Sequence, residues 1–246
     1  MYFKNPIINT HQENIFHLAP IPLYVKQFDD HDLHDEVYNI GFNELSEEQK
    51  RMGQELPEVY DFERQSTYEI NYNNRDMWVE PTEFNPIGSR FAVPPNDFLD
   101  RPEESIKTIR KRCEEGYIDM LNKLDFLHNN NPNITESWIQ YYAPTSGRGH
   151  NQHNHCRWSP DEETSLSFVG GYYLSDGNPI ADHPYSGVFT FHVRGMSHFI
   201  KPKKGLLMIW PYDIVHSVKP FYGKTHRCVI NFNIQDGDNI TKKSLI

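Results

Sequence analysis

The chain has 246 residues, with 34 Asp or Glu against 24 Lys or Arg, giving a net charge of −10 at neutral pH. That field repels nucleic acid and anionic membranes, so a small-molecule or peptide partner is expected, with no nucleic acid and no membrane. The 13% aromatic share argues for a packed core rather than disorder.

No apolar run approaches the ~18–20 residues that span a bilayer, and Met1 to Pro6 lack a secretory apolar segment. Cys113, Cys156 and Cys228 are odd in number and far apart, which makes a disulfide framework a poor reading. A reducing, cytoplasmic setting is expected.

In chain order, residues 1–19 read as an irregular lead-in, Pro22–Phe28 as a strand and Asp32–Phe42 as a short helix. From Asn43 to Asp100 the chain is polar and turn-rich, with Asn73–Asp76 and Pro81–Pro95 read as loop. The clearest helix covers residues 102–127. Pro102 suits its first position, Glu103 and Glu104 complement the helix dipole, and the Asn129–Asn133 segment stops it. Ile106, Ile109, Cys113, Tyr117, Met120, Leu121 and Leu124 recur at three- and four-residue spacing and form one apolar stripe.

Beyond it come strand candidates at Glu136–Ala143, Ser165–Ser175, Gly187–Val193, Gly205–Pro211, Ile214–Lys219 and Arg227–Gln235. Short strands separated by turn signals predict a mainly β sandwich or barrel with the long helix over one face. In the last strand Cys228, Ile230, Phe232 and Ile234 share one face, and Arg227, Val229, Asn231 and Asn233 the other. With the apolar face under the helix, Arg227 points inward. A buried arginine needs an anion, either a protein carboxylate or a bound ligand.

The chemistry concentrates in Gly149-His150-Asn151-Gln152-His153-Asn154-His155, with His216 further on and Arg227 eleven residues beyond it. Imidazoles at i and i+2 of an extended segment share a face and can chelate one divalent ion, and a distant third histidine leaves part of the coordination sphere open. Among the other histidines, His11, His17, His31, His34 and His128 read as surface residues. Cys156 has no second cysteine at zinc-site spacing. The literal string His-Asn-His is not the dispersed signature of an HNH nuclease.

From Tyr142 to Gln235 the chain resembles the double-stranded β-helix core of Fe(II)/2-oxoglutarate-dependent oxygenases, in particular the prolyl-hydroxylase-like branch and related phage-type enzymes. Tyr142-Ala143-Pro144, a glycine-containing loop, His153-Asn154-His155, Gly171-Tyr172-Tyr173-Leu174, Ser186-Gly187, Pro202-Lys203-Lys204-Gly205, His216-Ser217-Val218-Lys219-Pro220 and Arg227 leading Val229-Ile230-Asn231-Phe232 carry the resemblance, in that order.

The resemblance implies a single oxygenase domain over 1–246. Residues 1–135 would support a jelly-roll, cupin-like core at 136–236, and 237–246 would form a tail. It implies Fe(II) held by His153 and His216, with His155 where most of the superfamily has a carboxylate. Asp161, Glu162 or Glu163 could instead supply that carboxylate. Arg227 would bind the far carboxylate of 2-oxoglutarate, with Tyr173 as a second donor, Tyr142 lining the pocket and Asn231 facing the cosubstrate or a water.

The implied reaction is hydroxylation coupled to decarboxylation of 2-oxoglutarate to succinate. A peptidyl proline or a small amino-acid-like molecule is the first guess for substrate, with Arg157, Trp158 and Glu163 as candidate contacts. The alternatives are a three-histidine, cupin-like dioxygenase that does not use 2-oxoglutarate and a non-catalytic metal-binding β-sandwich.

Overall fold

The computed structural model describes residues 7–8, 14–18, 21–44, 90–92, 97–126, 128–142, 144, 148–155 and 167–236. Its strands are β1 (Ile7–Ile8), β2 (Asn14–Leu18), β3 (Ile21–Gln27), β4 (Arg90–Ala92), β5 (Pro132–Tyr142), β6 (Arg148–His153), β7 (Ser167–Asp176), β8 (Phe189–Val193), β9 (Met196–Ile200), β10 (Leu206–Pro211), β11 (His216–Phe221) and β12 (Arg227–Asp236). Two helices, α1 (His31–Glu44) and α2 (Glu104–Lys123), and a single 3-10 turn at Phe98–Asp100 complete the described elements.

The strands form a seven-stranded sheet, β2-β3-β10-β7-β12-β5-β4, and a five-stranded sheet, β1-β9-β8-β11-β6. All pairings are antiparallel except β1 with β9. The eight strands β5 to β12 divide between the sheets in the order of a jelly roll: β5, β7, β10 and β12 in the larger, β6, β8, β9 and β11 in the smaller. The fold is mainly β, and this core is the double-stranded β-helix expected from the sequence.

The core lies in two layers because β3, β5, β7, β10 and β12 each carry buried apolar side chains on both faces. Outside, the α2 stripe of Ile106, Ile109, Cys113, Tyr117, Met120 and Leu121 packs on Ile139, Tyr141, Tyr172, Leu207, Ile209, Cys228, Ile230, Phe232 and Ile234. Each large apolar side chain buried this way contributes ~1.5–3 kcal/mol. Between the sheets lies a second layer that includes Val25, Val169, Tyr173, Phe189, Trp210, Phe221 and Val229. The alternation in β12 therefore falls as the sequence predicts, with its even-numbered side chains under the helix.

Several expectations are corrected. The helix begins at Glu104, so Pro102 precedes it, and Glu103 is its extended N-cap. It ends at Lys123, well before Asn129. Asp125 adopts a left-handed φ of 56°. Its N–H donates to Asn122 O at 3.1 Å, and the Phe126 N–H donates to Leu121 O at 3.0 Å, which is a Schellman ending. That position usually holds glycine, and its absence hid the stop.

The lead-in contains β1 and β2, and Arg90–Ala92 is a strand on β5 rather than loop. His34 is buried, not a surface residue, and its Nε2 lies 2.9 Å from the Tyr172 hydroxyl. Cys113 and Cys228 are free and buried. Among the described residues no helix is long and apolar enough to cross a membrane. The expected loop at 73–76 lies outside the described residues.

Candidate metal and anion site

Antiparallel pairing of β6 and β11 sets His153 directly opposite His216. The chain then leaves β6, and His155 is held beyond the strand end by its N–H, which donates to Tyr212 O at 2.9 Å. One ligand atom from each of His153, His155 and His216 lies within 4.8 Å of the others. Metal–nitrogen bonds are ~2.1 Å, so three donors this close can close on one ion with small side-chain adjustments.

The hydrogen bonds decide which nitrogen each ring offers. Nδ1 of His153 lies 2.8 Å from Asn151 O, and Nδ1 of His216 lies 2.8 Å from Ile214 O. A carbonyl only accepts, so both rings carry their proton on Nδ1 and their lone pair on Nε2. Nδ1 of His155 lies 3.1 Å from Asn233 Oδ1 and is protonated for the same reason.

His216 is buried beneath Phe189, at 5.3 Å, and Trp210, at 5.1 Å between ring centroids. Burial, then the neighbouring His153, pushes its pKa down to about 2. It stays neutral, as a metal ligand must.

The three imidazoles line one end of a cleft between the sheets, together with Trp138, Gln140, Tyr142, Val169, Tyr173, Val229, Asn231 and Arg227. Atom-free space in the cleft is about 390 Å³ with its mouth included.

Arg227, 1% exposed, sits at the far end. One guanidinium nitrogen, Nη2, donates to the Tyr173 hydroxyl at 3.1 Å. The guanidinium carbon lies 4.7 Å from the centre of the Tyr142 ring and 5.1 Å from that of Tyr173. Among the described residues Nε and Nη1 have no hydrogen-bond partner and no carboxylate pairs with Arg227, so the salt-bridge option left open by the sequence is not found among them.

Burial raises the Tyr173 pKa to about 12 against the opposing pull of Arg227, so its hydroxyl keeps a proton to donate. Tyr142 donates to Gln140 Oε1 at 3.2 Å and meets Arg227 with its ring face. Asn231 Nδ2 reaches the same oxygen at 3.4 Å, turning Asn231 Oδ1 elsewhere. Beside them Gly171 leaves room: an added Cβ would stand 3.5 Å from Val229, 3.8 Å from Tyr173 and 3.9 Å from Asn231.

All seven predicted site residues thus gather in one cleft. His150, expected in a loop, belongs to β6, and its ring lies against His153 with centroids 3.8 Å apart and planes tilted by 32°. Trp138 and Gln140 were not anticipated, yet they share the face of β5 that carries Tyr142, and period-two alternation was the available signal. Arg157, Trp158, Asp161, Glu162 and Glu163 lie outside the described residues.

No protein-family model and no curated protein matches the chain. Solved structures do. EvdMO1 aligns with a TM-score of 0.53 at 11% identity over 89% of this chain and 48% of its own, so the chain spans about half of that protein. The viral collagen prolyl hydroxylase of Paramecium Bursaria Chlorella virus-1, as its 2OG complex, aligns at 0.48 and 16% identity over 87% of this chain and 96% of that one. A Pseudomonas putida prolyl-4-hydroxylase aligns at 0.47 and 15% identity, over 89% and 95% respectively. The likeness is one of fold.

The donor set of this chain fits the groups that the sequence resemblance implies. Three neutral imidazole nitrogens suit a divalent first-row ion with open positions. The buried guanidinium, which meets no carboxylate among the described residues, suits a carboxylate in the same cleft.

Proposed function

We propose that this protein is a non-haem Fe(II)- and 2-oxoglutarate-dependent dioxygenase, with residues 136–236 carrying the site and the chain working as one domain. One observation carries the reading: a buried arginine with two nitrogens unpartnered among the described residues faces the same cleft as three imidazoles whose ligand atoms lie within 4.8 Å of one another. Burying a guanidinium without a carboxylate is costly, and an anionic ligand in the cleft would offset that cost.

His153, His155 and His216 would hold the iron on one side. Arg227 and the Tyr173 hydroxyl would bind the far carboxylate of 2-oxoglutarate. When bound together with dioxygen as the oxidant, Fe(II) and 2-oxoglutarate would supply oxidative decarboxylation to succinate and CO2, one oxygen atom entering succinate and the other hydroxylating a substrate C–H bond. The residues of the chain orient, and the aromatic walls of Trp138, Phe189 and Trp210 keep bulk water from the reacting atoms. No side chain is required as a general base. The proposed substrate is a peptidyl proline or a small amino-acid-like molecule.

The test is an anaerobic titration of metal-free protein with Fe(II) and then 2-oxoglutarate. A visible charge-transfer band on the second addition, and succinate once air is admitted, are the expected results. Iron binding with neither band nor succinate would favour a dioxygenase that does not use 2-oxoglutarate. No metal binding at all would reduce the protein to a β-sandwich without this chemistry.

A further inference from the structure

His153 and His216 give their Nδ1 protons to main-chain carbonyls two residues back, an arrangement no single side-chain substitution removes. His155 differs, because its Nδ1 partner is a side chain, Asn233 Oδ1. An amide can present either its oxygen or its NH2, so something has to choose. The other end of that amide makes the choice: Asn233 Nδ2 donates to Glu136 Oε2 at 2.9 Å. An ionised carboxylate can only accept. It therefore fixes the NH2 of Asn233 on its own side and the oxygen towards His155, and that oxygen fixes the His155 proton on Nδ1.

The relay is built into the sheet. Glu136 on β5 and Asn233 on β12 are directly opposite each other, and the register shifts immediately afterwards, between Asn233 and Ile234. A bulge at that point re-aims side chains locally. Trp138, the next residue on the same face of β5, stacks on His155 with centroids 6.1 Å apart and planes 21° apart, which restricts the ring's tilt.

We propose that Glu136, acting through Asn233, is the positioning residue that makes His155 a competent third metal ligand. The inference rests on the metal-site reading above. In a site with two histidines and a carboxylate, the third ligand carries its own charge and needs no choice of tautomer. With three histidines the first ring of ligands is neutral. Here the negative charge sits one amide away, and it holds His155 in the tautomer whose Nε2 lone pair faces His153 and His216.

The test uses the full chain without iron chemistry. Imidazole nitrogen shifts of the metal-free protein report the tautomer of His155, and anaerobic titration with Co(II) reports affinity and ligand field. The wild type is expected to show His155 protonated on Nδ1. Glu136→Ala is expected to shift it towards Nε2 protonation and to weaken Co(II) binding ~10-fold or more. Glu136→Gln, whose amide oxygen can still accept from Asn233, is expected to recover most of both signals. In a His155→Ala background Glu136→Ala should have no further effect on Co(II) binding.

An Nε2-protonated His155 in the wild type would overturn the relay. Wild-type affinity in Glu136→Ala, with affinity lost in His155→Ala, would do the same. An equal loss from Glu136→Ala with and without His155 would place its role elsewhere. Failure of the wild type to bind Co(II) is a separate result, which removes the metal reading and the relay with it.

Discussion

Arg227→Met separates what the residue does for folding from what it does for a ligand. In the ligand-free protein the substitution removes one hydrogen bond from a charged donor, to Tyr173, worth ~1.5–3 kcal/mol. It also removes two ring contacts, to Tyr142 and Tyr173, of ~0.5–2 kcal/mol each. Against that, it abolishes a desolvation penalty of several kcal/mol for a buried guanidinium with two nitrogens unpartnered among the described residues, and methionine still fills much of the space. The expected outcome runs from neutral to ~3 kcal/mol more stable. For a chain of this size that is a rise in Tm of up to ~10 °C, at ~2–4 °C per kcal/mol.

Dicarboxylate binding should move the other way. Losing the cationic partner of a buried carboxylate costs ~2–4 kcal/mol, or ~30- to 1000-fold in affinity for 2-oxoglutarate. Urea unfolding with and without 2-oxoglutarate measures both effects, since a ligand at 100 times its wild-type Kd adds ~2.7 kcal/mol to the wild type and should add no more than ~0.9 kcal/mol to the variant. A ligand-free variant destabilised by more than ~1 kcal/mol, or an unchanged 2-oxoglutarate effect, would refute the argument that Arg227 is held in readiness for an anion.

Adjacent glycines on β7 should behave oppositely. Gly170→Ala drives a methyl into the Phe232 ring and is expected to destabilise by ~1–3 kcal/mol or more, whereas Gly171→Ala makes only ordinary contacts and should fold normally while weakening 2-oxoglutarate binding. Thermal unfolding and ligand titration of the two variants check this pair.

Burial, then Arg112 and Lys204, lowers the His34 pKa from 6.5 to about 4, so folding favours its neutral ring. The unfolded chain protonates first, so this contribution is complete above pH 6.5, drains as pH falls towards 4 and is flat below. It amounts to about 3 kcal/mol. Denaturation midpoints between pH 7.5 and 4 should therefore fall more steeply in wild type than in His34→Gln, and equal slopes would contradict the assignment. His155→Asp, which puts a charged ligand directly on the metal, should retain Co(II) binding and tighten it, while His216→Ala should lose it; both are read by titration.

The parts of this protein legible in the sequence are those that repeat with a local period. The α2 stripe and the two-residue alternation of β12 each announce which side is apolar, and the structure puts those sides where the pattern says. Arg227 could be assigned to the inner face from its neighbours alone, because adjacent side chains of a strand cannot share a face. The end of α2 was not legible, since its left-handed Asp125 carries no glycine signal. Nor were the short edge strands β1, β2 and β4, of which β1 and β4 take their order from partners remote in sequence.

Composition and spacing determined a mainly β chain with three candidate imidazoles and an inward arginine. Tertiary structure alone decided that Arg227 meets no carboxylate among the described residues, that the His150 ring lies against His153, and that His155 is oriented from Glu136 through Asn233. The reason is physical. Which face a side chain takes is set by its own strand, but what it meets there is set by the register of strands nearly a hundred residues apart. Glu136 and Asn233 are opposite one another only because β12 pairs with β5 in that register.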